Sequence, residues 1–119
     1  MKKKIFSIIV AIIITLSMTL SIYAASSSGT LGYYNYSCSI SNSSYTVNAS
    51  MSVTKTNSSA PSSYSEIKIT GVISPNTPIN ESIRGYGSIG NSYTYEKLVV
   101  SSLGQFYING TRVAALYGG

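Results

Sequence analysis

The sequence contains no histidine, no tryptophan and no aspartate. Without an imidazole, a serine or cysteine nucleophile lacks its usual base. The acidic residues, Glu66, Glu81 and Glu96, are isolated in sequence, which disfavours a calcium loop, and one cysteine with three glutamates is a poor zinc ligand set. We therefore predict a non-enzymatic protein without a cofactor or metal. The alternative is a glycoside hydrolase in which two of the glutamates converge as acid and base. We favour the simpler interpretation, in which the glutamates form surface ion pairs with nearby cations.

Charge is also scarce, because charged residues make up only 9% of the chain. Three units of the net charge of +5 come from Lys2, Lys3 and Lys4, so the rest of the chain carries only +2. The remaining cations are scattered along the sequence, a pattern that does not indicate nucleic-acid binding. Low charge weakens the repulsion between copies, so self-association is an expected property.

The amino terminus has the layout of a secretion signal. The three lysines precede an apolar run from Ile5 to Ile22, and small residues follow at Ala24, Ala25 and Ser26. We predict a helical signal peptide over residues 1–25, cleaved at Ala24 or Ala25, and a single secreted domain over residues 26–119. The alternative is an uncleaved anchor, since the run approaches the roughly 20 residues that cross a bilayer. Membrane contact is expected only through this segment.

Beyond residue 33 the apolar residues recur at every second position, which is typical of strands. The alternation predicts strands from Tyr34 to Ile40, from Tyr45 to Val53 and from Ser65 to Ile73. Pro75 and Pro78 are expected to end the third of these, because proline cannot donate to a sheet ladder.

Three further segments complete the predicted strands. Residues 79–91 indicate a weak edge strand that bends at its glycines, and residues 93–100 indicate a stronger one. Asn109 and Gly110 predict a tight two-residue turn between two final strands. The sequence thus predicts an all-β fold, a small antiparallel β-sandwich or partly open barrel of six to seven strands.

Cys38 is the single cysteine, so no internal disulfide can form. Its register places it on an apolar strand face, which favours a buried and inert thiol. The alternative is an intermolecular disulfide with another exported chain.

Tyrosine is abundant, with 11 copies in the chain. A tyrosine ring offers a rigid apolar face with a polar tip, so exposed copies suit a binding surface. Tyr33, Tyr64 and Tyr86 are the predicted binding aromatics, with a cell-wall glycan or another surface protein as the expected partner. The other strand tyrosines are expected to pack in the core instead. These are Tyr34, Tyr36, Tyr45, Tyr93 and Tyr95.

The layout as a whole resembles small secreted β proteins of Gram-positive bacteria and is loosely similar to the lactococcin 972 bacteriocin family. The similarity rests on Lys2-Lys3-Lys4 with its apolar run, on Gly29-Thr30-Leu31-Gly32-Tyr33, and on the alternating Tyr/Ser strands. It implies a secreted β-sandwich that acts on the envelope of competing bacteria without catalysis. The broader hypothesis is a secreted or wall-associated module that binds or assembles.

Overall fold

The computed structural model describes residues 23–118, and all regular structure in this range is β. Eight antiparallel strands follow one another along the chain. They are β1 (Tyr23–Leu31), β2 (Tyr34–Ser43), β3 (Thr46–Lys55), β4 (Tyr64–Ile73), β5 (Thr77–Tyr86), β6 (Ile89–Thr94), β7 (Val99–Ile108) and β8 (Thr111–Tyr117). The predicted signal-peptide helix lies outside the described residues. Within them, no helix is long and apolar enough to cross a membrane.

The strands form two sheets of four, which pack against each other in a sandwich-like arrangement. The first sheet has the order β1-β2-β3-β6, and the second sheet has the order β5-β4-β7-β8. Four of the pairings join strands that are consecutive in sequence, whereas β3 pairs with β6 and β4 pairs with β7 across long stretches of chain. The prediction of an antiparallel all-β fold is confirmed.

The structure has more strands than the six to seven predicted, and β1 is one reason. It begins at Tyr23, three residues before the predicted domain start, and the backbone of residues 23–25 pairs with residues 40–42 of β2. The sequence of β1 is rich in serine and lacks a clear apolar alternation. This strand is therefore held by the β2 ladder, and its own sequence gives little indication of it.

Two predicted strands are divided differently in the structure. Residues 79–91 form not one bent strand but parts of β5 and β6, because Gly87 adopts a φ of 77° and the chain passes from one sheet to the other. The predicted strand over residues 93–100 is also wrong, since β6 ends at Thr94 and β7 begins at Val99. Pro75 follows the end of β4 as expected, whereas Pro78 lies within β5, an edge strand that tolerates it.

The core lies between the sheets. Its residues come from every second position of the strands, as predicted. Cys38 and Ile40 from β2 meet Ile67 and Ile69 from β4 and Phe106 from β7, and each is almost fully buried. The alternate residues of the same strands point outward. The packing of these inner faces, without any disulfide, supplies the main stabilisation.

The turn between β7 and β8 confirms the two-residue hairpin. Asn109 has a φ of 48° and Gly110 a φ of 86°, the left-handed values that such a turn requires. Asn109 also accepts a hydrogen bond from the Tyr64 amide through its Oδ1 at 2.8 Å. The hairpin is thus tied to the start of β4.

Candidate functional site on the outer face of the second sheet

Tyr64 and Tyr86 form an exposed aromatic pair on the outer face of the second sheet. They lie directly opposite each other on β4 and β5, and their ring centroids are 5.3 Å apart in an edge-to-face arrangement. Tyr86 is 72% exposed and Tyr64 is 39% exposed. Two of the three predicted binding aromatics therefore stand together, with ring surface available to solvent.

An ion pair lies next to the tyrosines on the same face. Glu66 and Arg84 are the next outward-facing pair along β4 and β5, and Arg84 Nε donates to Glu66 Oε2 at 3.1 Å. The glutamate side chain is 18% exposed and the arginine side chain 58% exposed. This confirms that Glu66 pairs with a nearby cation and places polar groups beside the rings.

A second aromatic group extends the surface across β7. The Lys68 Nζ lies 5.2 Å from the centroid of the Tyr107 ring, within the range of a cation–π contact. The Tyr107 hydroxyl donates to Gln105 Oε1 at 2.8 Å, which fixes the amide beside the ring. We call the surface made by these seven outward-facing side chains the aromatic face. Its members are Tyr64, Glu66, Lys68, Arg84, Tyr86, Gln105 and Tyr107.

Tyr33, the third predicted aromatic, lies elsewhere. It is 59% exposed in the turn between β1 and β2, on the first sheet, where its carbonyl oxygen accepts a hydrogen bond from the Thr56 amide. Tyr45, which was expected in the core, is 48% exposed because it sits in the turn between β2 and β3. That expectation is wrong, since β3 begins at Thr46, one residue after the start that the alternation predicts.

Cys38 is completely buried, and burial raises the pKa of its thiol to about 11. In this fold the sulfur has no exposed surface, so an intermolecular disulfide would require the sandwich to open. Ala24 and Ala25, the predicted cleavage positions, lie in the backbone of β1 opposite Ser41 and Ile40.

The glutamates are not gathered at one place. Glu66 points to the outer face, whereas Glu81 sits on the inner side of β5 and accepts a hydrogen bond from the Tyr95 hydroxyl at 3.1 Å. Burial and this hydrogen bond raise the pKa of Tyr95 to about 12. Among residues 23–118, no group of three or more His, Cys, Asp or Glu side chains is placed to hold a metal ion.

The outer face of the first sheet differs sharply from the aromatic face. Its outward positions on β1, β2, β3 and β6 carry serine, threonine, asparagine and glycine. Hydroxyl pairs link neighbouring strands, such as Ser39 with Ser50 and Thr46 with Thr94, each at 3.1 Å. An open depression of about 380 Å³ lies over this sheet. Gly90 lines it and has no side chain to fill the space. The sequence alone did not indicate this separation of chemistry between the two faces, because it depends on which strands share a sheet.

The combination of an edge-to-face ring pair, an ion pair and a fixed amide on one open face is suited to holding a ligand by ring contacts and hydrogen bonds. Neither the family models nor the curated proteins and solved structures contain a match to the chain.

Proposed function

We propose that the chain is a secreted or surface-associated, non-enzymatic module that binds an extracellular glycan, such as a cell-wall polymer, through the aromatic face. The observation that carries this proposal is the exposed Tyr64–Tyr86 pair with the Glu66–Arg84 ion pair beside it. Export is supported by the sequence pattern of residues 1–25.

The tyrosine pair supplies the apolar part of the site. A sugar ring has faces of C–H groups that pack on an aromatic ring, while its hydroxyls need hydrogen-bonding partners at the edges. Tyr86 is the principal contact because its ring is the more exposed of the two. Tyr64 supports it from the neighbouring strand and is itself fixed through its backbone to Asn109.

The polar groups determine the orientation in which a sugar can bind. Arg84 and Glu66 lie one outward position along the strands from the rings, so they can donate to and accept from sugar hydroxyls. Gln105 is held in one orientation by Tyr107, which adds a further donor to the same surface.

The shape favours a polymer over a small molecule. The aromatic face is an open sheet surface, and small-molecule ligands usually occupy enclosed clefts. A chain of sugars can lie along such a surface and touch several of its side chains at once. The alternative of a bacteriocin-like action rests on the sequence resemblance alone.

The test is retention on an insoluble glycan. Purified protein is mixed with peptidoglycan sacculi from a Gram-positive bacterium, or with cellulose as a neutral glycan, and the fraction that sediments is measured. We expect retention on at least one of these, and Tyr86→Ala to weaken it about tenfold.

Tyr45→Ala is the matched control, because Tyr45 is an exposed tyrosine in a turn between strands of the other sheet. Its retention should equal that of the unaltered protein. Equal weakening by both substitutions, or no retention on either glycan, would contradict the proposal.

A further inference from the structure

The net positive charge of the described part of the chain lies on one side of the sandwich. The aromatic face carries Lys68 and Arg84 against Glu66. Arg112 adjoins this face on β8, where it is exposed and is the register partner of Tyr107. These three cations and one carboxylate leave an excess of two positive charges, which is the whole excess of the described residues. The fold therefore gathers cations that are scattered in the sequence.

The other charged side chains of the described residues cancel and lie elsewhere. They are Lys55, Lys97, Glu81 and Glu96. Lys55 ends β3, and its Nζ donates to the Ala60 carbonyl oxygen at 3.0 Å, whereas Lys97 lies in the loop between β6 and β7. The serine, threonine, asparagine and glycine at the outward positions of the first sheet carry no charge. An anionic ligand is therefore attracted to the aromatic face in preference to the opposite one.

The charged groups form a row across the second sheet. Successive register partners on β5, β4, β7 and β8 make up this row, and they are Arg84, Glu66, Tyr107 and Arg112. Neighbouring strands lie about 4.8 Å apart, so the row spans about 14 Å. Lys68 is the next outward residue of β4 after Glu66. A small anion can contact one of these cations, whereas a polymer with an anionic group on each unit can contact several.

The cations keep hydrogen-bond donors for a ligand. Glu66 and Arg84 form the only ion pair within residues 23–118, and it uses the arginine Nε, which leaves the Nη groups of Arg84 for another acceptor. The arginine side chain is also far more exposed than the glutamate, so a ligand meets the cation first. Lys68 and Arg112 are exposed and unpaired in the same part of the chain.

We propose that the aromatic face, together with Arg112, binds an acidic polysaccharide whose carboxylates are attached directly to its sugar rings. This inference rests on the proposed glycan binding and names the class of glycan. Lys68 Nζ lies 5.2 Å from the centroid of the Tyr107 ring, and Arg84 is the next outward residue along β5 from Tyr86. A sugar that packs on either ring therefore has a cation beside it for a carboxylate of the same sugar.

The chemistry of the cations agrees with this class of ligand. A guanidinium presents its donors in a planar fork that matches a carboxylate, and such charge-assisted hydrogen bonds are stronger than neutral ones. In a polymer linked by phosphodiesters the charges lie between the sugars and not on them. That arrangement fits a surface where each cation stands beside a ring less well.

The test compares two forms of one polymer. Polygalacturonate carries a carboxylate on every sugar, and its methyl ester has the same sugars without the charge. Each form is immobilised on agarose, and depletion of the protein from solution at low salt gives the dissociation constant. We expect binding to the acid to be about tenfold tighter than binding to the ester, and added salt to weaken mainly the binding to the acid.

Substitutions that each remove one positive charge locate the effect. Lys68→Gln and Arg112→Gln should each weaken binding to the acid about threefold, and more than they weaken binding to the ester. Lys97→Gln is the matched control, because the adjacent Leu98 bonds to Ser74 beyond the end of β4, whereas the aromatic face lies at the start of that strand. It should change neither affinity. Circular dichroism checks that each variant is folded.

The outcomes separate this inference from glycan binding itself. Equal affinity for the acid and the ester, or an equal loss with Lys97→Gln, would overturn the inference alone, provided that Tyr86→Ala still weakens binding to both forms. Absence of binding to both forms would also overturn it, and glycan binding would fall with it if sacculi and cellulose do not retain the protein. Tighter binding to a phosphodiester-linked wall polymer or to a single-stranded oligonucleotide would assign the face to another polyanion and overturn the inference.

Discussion

Ser102 and Asn42 connect the two sheets by a hydrogen bond within the core. The Ser102 hydroxyl of β7 donates to Asn42 Oδ1 of β2 at 2.6 Å, and the two side chains are 1% and 4% exposed. Gly118 packs over the pair, where a Cβ would lie 2.6 Å from the Ser102 Oγ, and its amide donates to the Ser102 carbonyl. This bond is a polar link in an otherwise largely apolar interface.

Ser102→Ala should therefore destabilise the domain. The substitution leaves the Asn42 oxygen buried without this donor, which costs about 1–3 kcal/mol in the free energy of unfolding. Urea denaturation followed by circular dichroism measures the change. Ser101→Ala, on the outward side of the same strand, is the control and should change stability by less than about 0.5 kcal/mol. Equal losses for both variants would remove the special role of the buried bond.

The hairpin between β7 and β8 depends on the conformation of Gly110. Its φ of 86° is unfavourable for residues with a Cβ, although no atom lies within 4 Å of the Cβ position. Gly110→Ala should lower the free energy of unfolding by about 1–2 kcal/mol through backbone strain alone. Gly110→Asn should cost less, because asparagine tolerates left-handed values. Thermal unfolding of the two variants checks this, and an equal or larger loss for asparagine would contradict the strain argument.

The buried thiol of Cys38 should make the domain less stable at alkaline pH. Its pKa in the fold is about 11, against an ordinary value of 9.0, so the folded protein keeps a proton that the unfolded chain loses. The unfolded state therefore binds fewer protons between these two values, and stability falls as pH rises through that window. The contribution is fully present below the ordinary value.

Urea denaturation at pH values from neutral to above the ordinary thiol pKa measures this slope. Cys38→Ala should be less stable at neutral pH, because it leaves a small cavity. Its stability should nevertheless decline less steeply above about pH 9 than that of the unaltered protein. The two proteins differ only at residue 38, so the difference between their slopes isolates the thiol. Parallel slopes would show that Cys38 is not protected as the structure indicates.

The strands whose side chains alternate between core and solvent are predictable from the sequence. β2, β3 and β4 were predicted because one face of each is apolar, and the final hairpin because Asn109 and Gly110 suit only a few turn types. β1 was missed because its stability comes from pairing with β2, a property that its own composition does not show. The division between β5 and β6 was missed because Ile83 and Ile89 keep the same alternation across the turn at Gly87.

The candidate site was predictable only in part. The exposure of Tyr64 and Tyr86 followed from sequence, but their contact depends on the register of β4 and β5. The two residues are equally distant from Pro75, so a hairpin centred on that proline would have paired them. The position of Tyr107 beside Lys68 could not be found in this way, because β4 and β7 are far apart in sequence and their alignment is set by the packed sheets.

The order in which the strands pair within the two sheets affects how quickly the chain can fold. The four pairings between consecutive strands close short loops, whereas β3 with β6 and β4 with β7 must bring together residues that are distant along the chain. Closing such loops costs chain entropy before many contacts form, so topologies of this kind fold slowly for their size. Local hairpins therefore provide the early structure, and the rate is governed by the two long-range alignments that complete each sheet.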